Sequence, residues 1–202
     1  GRICAFDWSH TELGPLDHWP ASLCCAVQMM LASPLPMVML WGRAGYMIYN
    51  DAYSEFAGGR HPYLLGVPVE LGWPEVAEFN RHVVDTCLAG GTLSFRNKEL
   101  VLLRDGVPED VWMDLYYSPV ANDEGCPSGV MAMVVETTEL VRSEQLRQAA
   151  EEAFRADNER VRLALNAGAL LGSFVWDVKN NVLSADERFV RTFSYPPDYD
   201  LS

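Results

Sequence analysis

Residues 37–57 read MVMLWGRAGYMIYNDAYSEFA, and this stretch decides the fold class. Two short apolar runs, Met37 to Trp41 and Tyr46 to Tyr49, flank Gly42-Arg43-Ala44-Gly45. Glycine reaches the backbone angles that a tight turn demands, so the pattern predicts a β-hairpin. Asn50 and Asp51 follow at once. Either side chain can accept a hydrogen bond from free N–H groups at a helix start, so Ala52 to Ala57 is expected as a short helix closed by Gly58-Gly59.

Toward the N-terminus, Leu23, Val27, Met30 and Leu31 recur at three- and four-residue spacing behind Pro20. An amphipathic helix is expected from Trp19 to Ala32, stopped by Ser33, Pro34 and Pro36. Toward the C-terminus, 60–72 holds too much Gly and Pro for anything but short turns. Trp73-Pro74-Glu75 then opens a second helix, because Pro is tolerated at the first helical position and an acid suits the positive end of the helix dipole. That helix is expected to reach Leu88 and stop at Gly90-Gly91.

Three further strands are predicted, Leu93 to Leu103, Asp110 to Pro119 and Gly129 to Thr137. The turn-rich clusters Arg104-Asp105-Gly106 and Asn122-Asp123-Glu124-Gly125 separate them. Five strands with helices between the second and third make a mixed α+β domain. In the middle strand Val111, Met113, Leu115 and Tyr117 alternate with Asp110, Trp112, Asp114 and Tyr116, so period two turns the first set inward. An outer face carrying Trp112 and Tyr116 calls for a cover, either the N-terminal helix or a partner subunit.

From Glu139 to about Ala167 the composition shifts to Glu, Arg, Gln and Ala, good helix formers. Leu140, Ala150, Phe154, Val161 and Ala164 form an apolar stripe, interrupted by Ser143, Arg147 and Asp157. The stripe fits a coiled-coil seam, and it also fits a solvated helix lying on its own domain. Beyond it, Leu171 to Val178, Lys179-Asn180-Asn181 and Val182 to Ser184 repeat the strand, turn, strand order, with a helix start at Asp186. The expected organisation is a leader with capping helix at 1–34, a domain at 35–138, a linker helix at 139–166 and the opening of a second, truncated domain at 167–202. The chain opens on Gly1 rather than Met, and the expectation is that a tag was removed or that the chain was cut from something longer.

Composition narrows function. Among 202 residues, 49% are hydrophobic and 21% charged, the balance of a folded chain. Lys and Arg number 15 against 28 Asp and Glu, a net charge of -13. Such a surface repels a phosphate backbone or an anionic bilayer, so neither nucleic acid nor membrane is an expected partner. No apolar run reaches the roughly 18 to 20 residues of a bilayer span. The odd set Cys4, Cys24, Cys25, Cys87 and Cys126 lacks C-x-x-C spacing and is expected to be reduced, as in the cytoplasm.

Several strings, taken in order, resemble the PAS sensory domain. They are Trp41-Gly42, Tyr49-Asn50-Asp51-Ala52-Tyr53, His61-Pro62 with Leu65-Gly66, Trp73-Pro74-Glu75, Leu88-Ala89-Gly90, Arg104-Asp105-Gly106, Tyr117-Ser118-Pro119 and Glu136-Thr137-Thr138. Together with the leader strings Asp7-Trp8-Ser9, Leu13-Gly14-Pro15-Leu16 and Trp19-Pro20 they look like the N-terminal PAS domains of bacterial multidomain sensor histidine kinases. The resemblance covers about 7–141, and more weakly 164–199 as a second PAS start. It implies a five-stranded antiparallel sheet with helices between strands two and three, an N-terminal capping helix and a C-terminal signalling helix. It also implies a homodimer and downstream PAS and output domains in the same chain. Glu136-Thr137-Thr138 stands where PAS proteins carry an Asp-Ile-Thr-like triplet coupling sheet to signalling helix. The two threonines also suit a plain helix cap, and the roles are compatible.

No autonomous catalysis is expected. None of His10, His18, His61 and His82 offers the helical histidine followed by an acidic residue that phosphoacceptance needs, since His61 precedes Pro62 and His82 is followed by Val83-Val84, and no glycine-rich nucleotide loop or G-x-S-x-G elbow occurs. Flavin photoreceptor PAS domains place a reactive cysteine in the region matching 61–72, which has none here. Haem-binding PAS domains ligate iron through a histidine near the second helix, where His82 is the one candidate. The sequence requires no cofactor and identifies none. Val111, Met113, Leu115 and Tyr117, with Trp41, Tyr49, Tyr53 and Phe79, are candidates to enclose a small apolar or aromatic ligand, the alternative being a fully packed core. A sensory and dimerisation module is therefore expected. The rivals are a ligand-free interaction module and a haem-based sensor.

Overall fold

The computed structural model describes residues 2–103, 106–167 and 172–193. The chain divides into two compact units, Gly1–Arg142 and Ser143–Ser202. The first holds helix α1 (Ala21–Leu31), the hairpin β1 (Met37–Trp41) and β2 (Tyr46–Tyr49), helices α2 (Asp51–Ala57) and α3 (Ala77–Leu88), and strands β3 (Leu93–Leu103), β4 (Pro108–Ala121) and β5 (Pro127–Glu136). All five strands pair antiparallel in the order β2-β1-β5-β4-β3. Helix α4 (Thr138–Asn166) follows β5 directly.

The hairpin and α2 stand where the sequence places them. Asn50 caps α2 by accepting from the Tyr53 N–H at 2.9 Å. Helix α1 is shorter than expected, because Pro20 sits at its N-cap with extended backbone. Its first free N–H groups, on Ala21 and Ser22, are met from a distance by the Asp123 carboxylate at 3.2 and 2.8 Å. A turn of 3-10 helix, Pro74–Val76, precedes α3. Strand β4 runs four residues beyond expectation, and the turn expected at Arg104-Asp105 lies outside the described residues.

Val111, Met113, Leu115 and Tyr117 are all buried, with at most 6% of their surface exposed. On this inner face they meet Val38 and Leu40 of β1 and Ala132 and Val134 of β5. The opposite phase of the hairpin, Met39 and Ile48, is equally buried, because α1 lies over β1 and β2 with Leu23, Val27 and Met30 inward. The leader closes one end through buried Trp8 and Trp19, whose rings stand 5.1 Å apart. Over β4 the cover is partial. Tyr116 stays 36% exposed, and the Arg142 guanidinium lies 6.0 Å from the Trp112 ring.

The second unit contains the hairpin β6 (Phe174–Asp177) and β7 (Val182–Ala185) and helix α5 (Glu187–Thr192). Asp186 caps α5 through the Phe189 N–H at 2.8 Å and holds the Ser173 N–H at 2.9 Å. Leu171 and 194–199, part of the expected second-domain start, lie outside the described residues. Phe174 and Trp176 are each 56% exposed, as expected of a ribbon that has two strands among the described residues. Among the described residues no helix is long and apolar enough to cross a membrane.

Candidate functional site

Helices α2 and α3 lie over the concave inner face of the sheet. Between them is a cavity of about 50 Å³. Five of the eight residues expected to enclose a ligand line it, Tyr53, Phe79, Met113, Leu115 and Tyr117. Phe79, Phe95 and Tyr117 form an edge-to-face cluster with centroids 5.3 to 6.5 Å apart. The Tyr53 hydroxyl accepts a bond from the Trp73 indole N–H at 3.1 Å, and burial pushes the Tyr53 pKa up.

The other three stand elsewhere. Val111 is fully buried but does not reach the cavity. Trp41 is on the opposite face of the sheet, because Val38 and Leu40 take the inward phase of β1. Its cross-strand partner is Gly129. A Cβ on that glycine would sit 2.5 Å from the Trp41 ring, so the missing side chain is what lets the indole lie across β5. Tyr49 lines a second concavity, described below.

Asn80 and Trp73 also line the cavity, and neither was expected there. Their signal was present for Asn80: with Val83, Val84 and Cys87 it forms the buried i, i+3, i+4, i+7 face of α3. The same face excludes His82, which is exposed. The one candidate iron ligand of the haem rival thus lies off the face that lines the cavity, whose volume of about 50 Å³ is too small for a porphyrin. Burial pushes the Cys87 thiol up, which disfavours a reactive thiolate. No cluster of three or more His, Cys, Asp or Glu among the described residues could hold a metal ion.

A polar clasp stands beside the cavity. The Arg60 guanidinium lies 4.4 Å from the Trp73 ring. It donates to the Leu103 carbonyl at 2.7 Å, to the Glu75 carboxylate at 2.8 Å and to the Gly72 carbonyl. Glu75 in turn accepts from the Leu103 N–H at 2.7 Å. One side chain thus ties three segments distant in sequence to each other.

The junction of sheet and α4 is equally defined. The Thr137 N–H donates to the Trp112 carbonyl at 2.7 Å, and the Thr138 hydroxyl accepts from the Trp112 N–H at 3.1 Å while donating to Glu136 at 2.9 Å. The Thr137 hydroxyl reaches Asn97 at 2.9 Å. Asn97 lies in the β3 bulge between Phe95 and Lys98, with φ of 46°. The helix root is therefore bonded to the bulge that directly follows the aromatic cluster of the cavity.

The second concavity, of about 740 Å³, lies between the leader, α1 and the start of α2. Arg2 donates to His61 Nε2, so Nδ1 carries the ring proton and donates it to the Tyr49 hydroxyl at 3.1 Å. Burial first, then the Arg2 charge, hold the His61 pKa below its ordinary value, with Asp51 opposing. Burial pushes the Tyr49 pKa up to about 12. A histidine with a depressed folded pKa takes its proton in the unfolded chain first. Its contribution to stability is therefore complete above about pH 6.5 and is lost as pH falls from there through the folded pKa. Denaturation midpoints from pH 7.5 to 5.5 are expected to fall more steeply for the wild type than for His61→Gln. Equal slopes would remove the histidine from the account.

Residues 33–142 match the family described as PAS fold. The chain belongs to the PAS-fold family. Over 166 residues it is 27% identical to the probable diguanylate cyclase DgcE of Escherichia coli (strain K12), a match spanning 82% of this chain and 14% of that protein. Similar solved structures include the PAS domain of Bordetella pertussis BvgS, 19% identical over 66% of this chain and 97% of that one, with a TM-score of 0.47. Another is a sensory box sensor histidine kinase from Vibrio cholerae, 15% identical over 56% and 90%, with a TM-score of 0.38. In this PAS domain the expected relay triplet is the point where β5 passes into α4, and the expected linker stripe lies along α4. Leu140 is 67%, Phe154 69% and Val161 44% exposed. Ala150 is exposed and Ala164 half-buried.

Proposed function

We propose that the chain is the sensory and dimerisation module of a bacterial signalling protein. A change of packing around the cavity passes through Phe95, the Asn97 bulge and Thr137 to α4, and from there to a second PAS domain and an output domain of the same chain. The observation that carries this reading is the Thr137–Asn97 bond, which joins the helix root to the strand bearing the cavity's aromatic cluster. Two states of that junction differ in free energy only if the signal binds them unequally. The resemblance to sensor histidine kinases supports a kinase output. The relative DgcE supports a diguanylate cyclase as a second reading of the output. A cytoplasmic setting accords with the five free cysteines.

The dimer is assigned to α4. Its charged faces are laced by pairs such as Arg147 with Glu144 and Glu151, and Arg155 with Glu151. These support an isolated helix and leave Leu140, Phe154 and Val161 to a partner copy. Phe154→Glu with Val161→Glu is expected to weaken dimerisation by about tenfold or more, given the transfer energy of two apolar side chains. Light scattering across a dilution series measures this, and an unchanged dimer mass would remove the seam.

The competing reading, a ligand-free interaction module, draws on the small cavity. At about 50 Å³ it is a third of the roughly 150 Å³ that admits benzene into an engineered apolar core. Native mass spectrometry of the purified chain separates the two. A dimer with retained extra mass supports the sensor, and a dimer without it supports the interaction module.

A further inference from the structure

The cavity carries two buried polar side chains that the protein leaves unpaired. Asn80 is 8% exposed and Tyr117 6%, and both line it. No hydrogen bond within the described residues engages the Asn80 carboxamide or the Tyr117 hydroxyl, and neither group is sealed from a water-sized molecule, so both open onto the cavity space. Regular structure puts both there, Asn80 on the buried face of α3 and Tyr117 in the inward phase of β4. The neighbouring Tyr53 hydroxyl, by contrast, is engaged by Trp73. Buried polar groups are nearly always satisfied, if not by protein then by water or a ligand.

We infer that Asn80 and Tyr117 form a binding site for one small uncharged molecule able to hydrogen-bond, with water as its resting occupant. Size and charge define the class. A volume of about 50 Å³, a third of the roughly 150 Å³ that admits the six carbons of benzene, admits about two or three non-hydrogen atoms without rearrangement. Among the described residues no Asp, Glu, Lys, Arg or His lines the cavity, so a charged ligand would lose its hydration without gaining a counter-ion from them. Burial raises the Tyr117 pKa and keeps its hydroxyl protonated. A carboxamide offers two donors and an acceptor, and a phenol one of each. A molecule with both a donor and an acceptor satisfies the two together. This deepens the sensory reading and relies on it only for what binding does to α4.

Formamide and formate are near-isosteric probes that differ in charge. Titrated into the whole chain and followed by NMR, formamide is expected to shift the Asn80 side-chain amide and the Met113 methyl saturably, with a Kd of about millimolar or weaker for so few atoms. Formate should leave both unmoved. Tyr117→Phe removes one oxygen from a packed ring, and Asn80→Leu removes the amide. Each is expected to weaken formamide by about tenfold, the equivalent of one hydrogen bond. No saturable shift with formamide, equal shifts with formate, or undiminished binding in Tyr117→Phe would each overturn the site. Saturable binding with Thr137 and Thr138 unmoved would support the site and overturn the relay.

Discussion

Asn50→Ala is expected to lower the stability of the PAS unit by about 3 kcal/mol or more, among the largest effects of any single side chain outside the apolar core. Asn50 is 2% exposed, and its carboxamide serves both ends of one loop. Oδ1 accepts from the Met37 N–H at 3.1 Å and from the Tyr53 N–H at 2.9 Å. Nδ2 donates to the carbonyls of Met30, Ser33 and Leu35 at 3.2, 3.1 and 2.7 Å. Two hydrogens shared over three acceptors means that one is bifurcated. Alanine removes the cap of α2 and strands an amide and several carbonyls where water enters poorly. Asn50→Asp is the informative companion, because it keeps the acceptor and the cap but brings a carboxylate against those three carbonyls. It is expected to be no milder than alanine. Urea midpoints should fall by about 1 to 2 M at an ordinary m-value. A loss below about 1 kcal/mol for both variants would show that the loop repairs itself.

The second large effect is expected at the clasp. Arg60→Ala should cost about 3–5 kcal/mol, the range for removing one partner of a buried ion pair. The Arg60 and Glu75 side chains are only 18% and 10% exposed, and Glu75 Oε2 is already buried without a hydrogen-bond partner. Removing the guanidinium leaves a buried carboxylate with the Leu103 N–H as its main support. Arg60→Lys is expected to recover little, since an ammonium cannot serve the Gly72 and Leu103 carbonyls and the carboxylate in one plane while lying on Trp73. The double variant Arg60→Met, Glu75→Leu is expected to regain most of the loss, because replacing both charges by apolar groups removes the stranded carboxylate. Equal loss in the single and double variants would mean that the bonds to Gly72 and Leu103, and not the ion pair, hold the segment.

What could be read from sequence divides along physical lines. The hairpin, α2 and the inward phase of β4 were legible because each rests on local periodicity or on a capping residue beside its helix. Most of 60–72 was legible as turns, closing in the one-turn helix Val69–Gly72, yet Arg60's role was not, since two of its partners are backbone groups of Gly72 and Leu103 that carry no residue signature and the Glu75 carboxylate stands outside any local spacing. For the same reason the capping of α1 by Asp123, from the β4–β5 turn, left no trace near Ala21. Trp41 misled because an aromatic side chain beside an apolar run looks like core. Only the pairing of β1 with β5, which sets Gly129 opposite, reveals the face it occupies. His82 and Asn80 are two residues apart, about 200° around a helix, and a pattern count over Asn80, Val83, Val84 and Cys87 would have separated them. Cavity volume depends on rotamers and has no counterpart in spacing.

The strand order bears on how the domain is made. β1 lies between β2 and β5, and its pairing with β5, the middle strand of the sheet, joins Met37 to Met133 and Trp41 to Gly129. Loop closure over most of the domain must precede that pairing, which puts this sheet among topologies with high contact order and slow assembly. During synthesis from the N-terminus, the hairpin and α1 emerge long before the strand that completes their neighbourhood. Until β5 leaves the ribosome, β1 has an open edge and its apolar inner phase has only part of its cover. That nascent interval is where the chain is most open to wrong strand pairing and to chaperones.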